Sequence, residues 1–176
     1  MIKKNFTTII ETHSPEETVH LGYCIGKSLY PGHVVALIGH LGAGKTWLSR
    51  GIAKGLGISK NHHVHSPAFD LVHEHPGTIP MYHMDFYRLD HFSREDELWI
   101  EEYIHSDTGV CVIEWADKFI KDLLDDHLEI HLEMGGCDTD RKISLIAVGD
   151  EYYTIMDHLL QLFYIKNKNI NILDKE

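Results

Sequence analysis

The spacing of apolar residues along this chain changes between two periods, and each period predicts a type of secondary structure. Residues 33–38 and 110–113 are almost continuously apolar, which is typical of strands that are covered on both faces of a parallel sheet. After residue 46 and again after residue 150, apolar residues recur at three- and four-residue steps, as on the buried face of a helix. The chain is therefore predicted to combine a sheet with helices.

Turn and capping signals predict the remaining elements. Ser14 is a good N-cap, with Pro15 at the first helical position and Glu17 closing a capping box. Two extended segments on either side of the turn at residues 75–78 predict a hairpin. The predicted strands are 6–10, 33–38, a segment ending at 72, 79–87, 110–113, 128–132 and 142–148, and the predicted helices are 15–29, 47–56, 93–105, 116–124 and 150–164.

A glycine-rich segment between a predicted strand and a predicted helix has the spacing G-x-x-x-x-G-K-[ST]. Its glycines let backbone N–H groups turn toward phosphate oxygens, and the N-terminus of the helix adds positive potential. Lys45 is expected to reach the β- and γ-phosphates of a nucleotide, and the Thr46 hydroxyl to bind Mg²⁺. The predicted phosphate loop consists of Gly39, His40, Leu41, Gly42, Ala43, Gly44, Lys45 and Thr46.

Two carboxylates near strand ends are candidate partners of the phosphate loop. Such a loop needs a carboxylate to help hold Mg²⁺, and hydrolysis needs a group that orients water. In open α/β sheets these groups lie at the carboxyl ends of strands. We assign Asp85 to Mg²⁺, directly or through water, and Glu114 to the attacking water, and the two roles can be exchanged.

The elements together predict an α/β fold, a P-loop NTPase-like mixed sheet flanked by helices, with a C-terminal helical extension. We expect a P-loop ATPase domain at residues 1–149, and a C-terminal helix and tail at 150–176 packed on the same domain. The helix has an apolar stripe that needs a cover, from this domain or from a partner protein, and we favour the first because core packing is its usual fate. Residues 166–176 are expected to form a loose tail. The stripe consists of Tyr152, Ile155, Met156, Leu159, Leu160 and Phe163.

The charge balance argues against direct binding of nucleic acid. The 176 residues include 16 Lys and Arg but 27 Asp and Glu, a net charge of −11, and no basic patch of any size is visible in the sequence. No apolar run reaches membrane-spanning length, and the N-terminus lacks a signal-peptide core. Three cysteines without metal-site spacing suit a reducing compartment. We therefore expect a cytoplasmic protein without a membrane partner.

Five motifs in this order resemble the TsaE family, the bacterial ATPases of tRNA threonylcarbamoyladenosine (t6A) biosynthesis. They are residues 39–46, 64–69, 83–89, 101–103 and 113–115, and the resemblance covers about residues 5–148. It implies an ATPase, weak alone, that binds ATP and Mg²⁺, acts with TsaB and TsaD, and meets tRNA only through that complex. The residues implied for nucleotide, Mg²⁺ and hydrolysis are Lys45, Thr46, Asp85 and Glu114, with Trp115 close to the nucleotide.

Three positions depart from the family pattern. The family usually has Asp where this chain has His40, and Thr at the positions of Ala68 and Asp70. Residues 64–69 resemble a switch-like region of the family, so the lost hydroxyl at Ala68 and the added carboxylate at Asp70 bear on that switch. The lysine, threonine and carboxylates of the implied site are all present.

Two other functions fit the same phosphate loop. A small-molecule kinase usually has an arginine-bearing lid, but Arg88, Arg94 and Arg141 are scattered along the chain and no substrate pocket is apparent. The second alternative is a nucleotide-dependent assembly factor whose hydrolysis is incidental. GTP specificity is disfavoured, because residues 167–170 lack the acid of N-K-x-D and the sequence has no D-x-x-G.

Fifteen histidines suggest a metal site, above all at His62, His63 and His65 and at His73 and His75. Zinc needs a fixed tetrahedral set of ligands with supporting hydrogen bonds. These histidines lie on a polar loop and a predicted hairpin with no cysteine nearby. We interpret them as solvated side chains or as adventitious metal binders rather than a functional zinc site.

Overall fold

A computed structural model describes residues 5–67, 71–89, 91, 93–120 and 124–173 of the chain. Its elements are β1 (Asn5–Thr12), α1 (Pro15–Ser28), β2 (Val34–Ile38), α2 (Lys45–Gly55), β3 (Val72–His75), β4 (Met81–Asp85), α3 (Arg94–Ile104), β5 (Val110–Glu114), a 3-10 turn (Ala116–Lys118), β6 (His127–Met134), β7 (Arg141–Val148) and α4 (Asp150–Leu173).

The strands form one mixed sheet in the order β1-β7-β6-β2-β5-β4-β3. The four central strands β6, β2, β5 and β4 run parallel, and β1, β7 and β3 are antiparallel to their neighbours. The predicted hairpins are present as the pairs β3–β4 and β6–β7. The predicted fold class, a mixed sheet flanked by helices with a C-terminal helix, is confirmed.

Helices cover both faces of the central strands, which explains their continuous apolar sequences. On β2, Val35 and Leu37 belong to the core cluster that contains α1, α2 and α4, whereas Val34 and Ala36 belong to the cluster that contains α3. Side chains alternate between the faces of a strand, so a strand buried on both faces has no polar positions. The parallel register of β4 and β5 places Asp85 opposite Glu114, at the carboxyl ends of both strands.

Glycines bring α1 into close contact with α2, the helix that follows the phosphate loop. A Cβ atom on Gly26 would lie 2.3 Å from the carbonyl oxygen of Ile52. The same crowding, against backbone of the facing helix, would occur at Gly22, Gly51 and Gly55. Only glycine permits this approach, which fixes the position of α2 against α1.

The C-terminal helix α4 packs on α1 and β7. Its apolar side chains join the larger core cluster, and the Tyr152 hydroxyl accepts a hydrogen bond of 2.8 Å from the Val34 amide. The buried members of the stripe are Tyr152, Ile155, Met156, Leu159 and Phe163. The helix continues to Leu173, so the expected loose tail from residue 166 is wrong up to that point. No Gly or Pro interrupts residues 165–173 to end the helix.

Three further sequence expectations can be compared with the structure. The Ser14 hydroxyl caps α1 as predicted, but the Glu17 carboxylate accepts from the His13 amide, one residue before the N-cap. The helix expected at 116–124 begins as a 3-10 turn, Ala116–Lys118, and residues 121–123 lie outside the described residues. None of the helices in the described ranges combines the length and hydropathy that crossing a bilayer requires.

Candidate functional site

The phosphate loop leads from β2 into α2, and two of its glycines are required by geometry. Gly44 caps α2 with a φ of 103°, in the left-handed region that glycine adopts at no steric cost. At Gly39, an added Cβ atom would lie 2.5 Å from the carbonyl oxygen of Leu132 on β6. The sheet and the first turn of α2 thus hold both ends of the loop.

The Lys45 side chain folds back over the phosphate loop. Its Nζ donates hydrogen bonds to the carbonyl oxygens of Gly39 (2.6 Å) and His40 (3.0 Å). The same ammonium lies 3.7 Å from the ring centroid of Trp115, a distance suited to a cation–π interaction. Burial lowers the pKa of Lys45 below its usual value, and the charges of Glu114 and Asp85 oppose this shift.

Glu114 is almost fully buried, and three side chains form hydrogen bonds with its carboxylate. Oε2 accepts from the Thr46 hydroxyl at 3.2 Å. Oε1 accepts from the Ser49 hydroxyl at 3.0 Å and lies 2.9 Å from Nε2 of His83. One oxygen is therefore held in the interior while the other faces the phosphate loop.

Asp85 is buried but lies closer to solvent, with 8% of its surface exposed against 2% for Glu114. The Ser66 hydroxyl donates to Oδ2, and the Tyr87 amide donates to Oδ1 at 2.8 Å. Ser66 belongs to the loop that leads into the segment 68–70, where the departures Ala68 and Asp70 lie outside the described residues.

A cavity of about 420 Å³ joins these groups. Of the residues assigned from the sequence, all but Gly39 and His40 line it, and those two contribute the carbonyl oxygens that bind Lys45. The lining consists of Leu41, Gly42, Ala43, Gly44, Lys45, Thr46, Trp47, Ser66, Asp85, Tyr87, Arg88, Glu114, Trp115 and Arg141.

Arg141 also lies at the phosphate loop. Its Nε donates to the carbonyl oxygen of Ala43 at 2.8 Å, and Nη2 donates to that of Gly42 at 3.2 Å. Arg88 and Arg141, which are scattered in the sequence, both line the cavity. The sequence carries no signal for this contact, because Arg141 reaches the loop from β7, 98 positions from Ala43.

Two further site residues were missed although the sequence carried a signal for each. Ser49 lies one helical turn after Lys45 on α2 and therefore shares its side of the helix. His83 lies two residues before Asp85 on β4, so both side chains point to the same face of the sheet. Capping and motif rules do not identify such neighbours. The helical spacing of four residues and the strand spacing of two residues would have identified them.

The backbone of Trp115 is unusual. Its φ of 60° and ψ of 37° make it the one non-glycine residue with a positive φ in the described part of the chain. This conformation turns the indole toward the phosphate loop, where it contacts Lys45 and lies 4.8 Å from the Tyr87 ring. A large side chain in this region signals local strain, which recurs at functional sites.

The histidines form a row of ring contacts that leads from the surface to Glu114. Ring centroids are 5.0 Å apart for His62 and His75, and 5.8 Å for His75 and His83. His75 is only 3% exposed and neither of its nitrogens has a hydrogen-bond partner, so the expectation of solvation is wrong for it. Burial, reinforced by its neighbouring histidines, lowers its pKa to about 4.

No metal-binding geometry accompanies the row. Among the described residues, no group of three His, Cys, Asp or Glu side chains is arranged to hold a metal ion. At the phosphate loop, Asp85 and Glu114 supply two carboxylates, and the Thr46 hydroxyl beside Glu114 supplies a third oxygen group.

Comparisons with known proteins point to one family. A family model described as threonylcarbamoyl adenosine biosynthesis protein TsaE matches residues 12–143. A Bacillus subtilis protein named tRNA threonylcarbamoyladenosine biosynthesis protein TsaE is 38% identical over 157 residues, covering 89% of this chain and 96% of that relative. A relative of the same name from Treponema pallidum is 38% identical over 112 residues, covering 64% and 81%. The crystal structure of Bacillus subtilis YdiB superposes with a TM-score of 0.77 at 34% identity, covering 90% of this chain and 97% of that one.

Proposed function

The chain belongs to the TsaE family of tRNA threonylcarbamoyladenosine biosynthesis proteins, and we propose that it is a magnesium-dependent ATPase that supports this modification together with TsaB and TsaD. One observation carries the proposal: the phosphate loop and two strand-end carboxylates line the same cavity. Loops of this type bind nucleotide phosphates, and hydrolysis also requires acidic groups such as these two carboxylates at the strand ends.

Binding of the ATP phosphates falls to the phosphate loop and Lys45. The glycine-rich backbone and the N-terminus of α2 supply positive potential toward an anion. The Lys45 ammonium is already held over the loop by the Gly39 and His40 carbonyl oxygens, so a small movement brings it to the phosphates. A charge-assisted hydrogen bond to phosphate is stronger than the bonds to neutral carbonyls that it replaces.

The oxygen donors near Thr46 suit Mg²⁺, which prefers hydroxyl and carboxylate ligands. When bound, the ion neutralises charge on the β- and γ-phosphates. The hydrogen bond between Thr46 and Glu114 places that carboxylate beside the hydroxyl that would hold the ion. We therefore exchange the two roles assigned from the sequence: Glu114 and Thr46 are the residues that would hold Mg²⁺.

Asp85 then takes the role of orienting the attacking water. It lies opposite Glu114 at the end of the neighbouring strand and is the more exposed of the two carboxylates. The Tyr87 amide and the Ser66 hydroxyl fix its orientation. A carboxylate held in this way can accept a hydrogen bond from water on the cavity side.

Family membership supports the proposed partners. The net charge of −11 suits a subunit that leaves the contacts with tRNA phosphates to TsaB and TsaD.

Three variants test this assignment. Lys45→Ala should lose at least tenfold in affinity for Mg-ATP by calorimetry, Glu114→Gln should lose the Mg²⁺ dependence of binding, and Asp85→Asn should bind ATP but hydrolyse it about a hundredfold more slowly. Lys54→Ala, an exposed change on the same helix, is the control.

Undiminished Mg-ATP affinity in Lys45→Ala would refute the phosphate-loop assignment. Wild-type single-turnover rates in both carboxylate variants would remove them from the mechanism. Turnover measured with TsaB and TsaD present separates the ATPase from an assembly factor, because the latter needs bound ATP but gains no rate from its partners.

A further inference from the structure

The Glu114 carboxylate is divided between two surroundings. Oε2 meets the Thr46 hydroxyl at the phosphate loop, whereas Oε1 is bound by Ser49 and His83 in the interior. An ionised carboxylate only accepts hydrogen bonds, so Nε2 of His83 carries the hydrogen in this contact. The two donors on Oε1 determine which oxygen the carboxylate presents to the cavity.

His83 is a costly residue to bury unless its donor has a function. It is completely buried, and its Nδ1 has no hydrogen-bond partner. An unpartnered buried polar atom destabilises a fold, and an apolar side chain of similar size would avoid that loss. Among the described residues, the Nε2 contact with Glu114 is the one hydrogen bond of this side chain.

We propose that His83 is a positioning residue for the proposed Mg-ATP site: its Nε2–H, with the Ser49 hydroxyl, holds Oε1 of Glu114 so that Oε2 stays beside Thr46, where it would be available to Mg²⁺. This inference rests on the proposed function, and it adds a residue that touches neither nucleotide nor metal. Hydrogen bonds behind a metal ligand orient it, and removing one typically reduces metal affinity 10- to 100-fold.

The strand geometry supports this role. His83 and Asp85 lie two residues apart on β4 and therefore face the same side as Glu114 on β5. Ser49 lies on α2, and its single hydroxyl hydrogen is shared between Oε1 of Glu114 and the Lys45 carbonyl oxygen. Sheet and helix thus each contribute to holding Oε1, and His83 is the donor that is not shared with a second acceptor in the part of the chain that the structure describes.

The test compares three variants at position 83 with a matched control. His83→Gln keeps a donor at nearly the same distance from the backbone, whereas His83→Leu removes the donor and His83→Asn places it too near the backbone to reach Glu114. His75→Leu is the control, since His75 is a buried neighbouring imidazole that makes no hydrogen bond to Glu114. ATP affinity is measured by calorimetry in EDTA and across a Mg²⁺ titration, and folding is checked by thermal melting.

We expect ATP affinity in EDTA to stay within twofold of wild type for all four variants. The Mg²⁺ concentration that gives half of the maximal affinity gain should rise at least tenfold in His83→Leu and His83→Asn, and much less in His83→Gln and His75→Leu. If His83→Leu does not fold, the Gln and Asn pair decides the question. A wild-type Mg²⁺ titration in the donor-lacking variants overturns the proposal, and so does an equal shift in His75→Leu.

Failure of the proposed function looks different. If ATP affinity of the wild-type protein does not depend on Mg²⁺, the proposed metal site is wrong and the role of His83 falls with it. If Glu114→Gln loses the Mg²⁺ dependence while His83→Leu retains it, only the inference about His83 is wrong.

Discussion

Gly26→Ala should weaken the contact between α1 and α2 and, through it, the phosphate loop. The new methyl carbon would lie 2.3 Å from the Ile52 carbonyl oxygen and 3.0 Å from the Gly55 Cα atom. Attractive contact needs about 3.5 Å, so the methyl group intrudes by about 1 Å. Both neighbouring atoms belong to the backbone of α2, so no side-chain rotation relieves the overlap.

The expected magnitude follows from two opposing terms. Forcing a methylene-sized group into a packed interior costs about 1–3 kcal/mol, and the backbone contact favours the upper end. Alanine gains about 1 kcal/mol over glycine inside a helix. The net loss is about 2 kcal/mol, which corresponds to a fall in Tm of about 4–8 °C for a chain of this length.

Thermal and urea unfolding followed by circular dichroism measure this loss. Gly136→Ala is the control, because the nearest atom to an added Cβ there is Asp140 Oδ2 at 3.9 Å. The control should stay within about 0.5 kcal/mol of wild type. ATP affinity should also fall in Gly26→Ala, since α2 carries Lys45. If Gly26→Ala melts at or above the wild-type temperature, helix propensity outweighs the overlap and the packing argument is wrong.

Two more predictions concern the buried histidine and the C-terminal helix. Because the pKa of His75 falls from 6.5 to about 4 on folding, the unfolded chain binds the proton first, and the stability present above pH 6.5 is lost as the pH falls toward 4. Between pH 7.5 and pH 5 this amounts to about 2 kcal/mol, and an equally steep loss in His75→Leu urea titrations would contradict it. Leu159→Ala should cost about 2–5 kcal/mol because Leu159 is fully buried against the core, whereas the exposed neighbour in His158→Ala should cost less than about 0.5 kcal/mol. If Leu159→Ala unfolds like the control, the observed packing of α4 does not contribute to stability.

Local sequence signals predicted the secondary structure well where one rule was sufficient. The apolar runs of β2 and β5 and the N-cap at Ser14 follow from periodicity and capping alone. The helix α4 continues to Leu173, beyond its predicted end at residue 164, because no Gly or Pro stops it there. The glycine contact between α1 and α2 requires a three-dimensional alignment, and neither helix reveals its partner in sequence.

In the candidate site too, residues with a local sequence signal were predicted, whereas contacts between separate elements were not. Lys45, Thr46, Asp85 and Glu114 were found because a loop motif and strand ends mark them, and the structure brings all four to one cavity. The hydrogen bonds that hold the Glu114 carboxylate come from side chains on different elements, α2 and β4. A sequence states no distance between such elements, so their hydrogen bonds can be read only from the fold.

The left-handed backbone of Trp115 has a consequence for how this position can evolve. A side chain in this conformation costs about 1–2 kcal/mol, and a glycine would release most of that cost. The same replacement would lose the packing of the half-buried indole against the core cluster that contains α3 and against the Tyr87 ring, so it is not a net stabilisation. Such a replacement would also remove the indole that lies 3.7 Å from the Lys45 ammonium. A change at position 115 therefore sets the release of backbone strain against the loss of core packing and of the aromatic ring on Lys45, and both losses favour the indole.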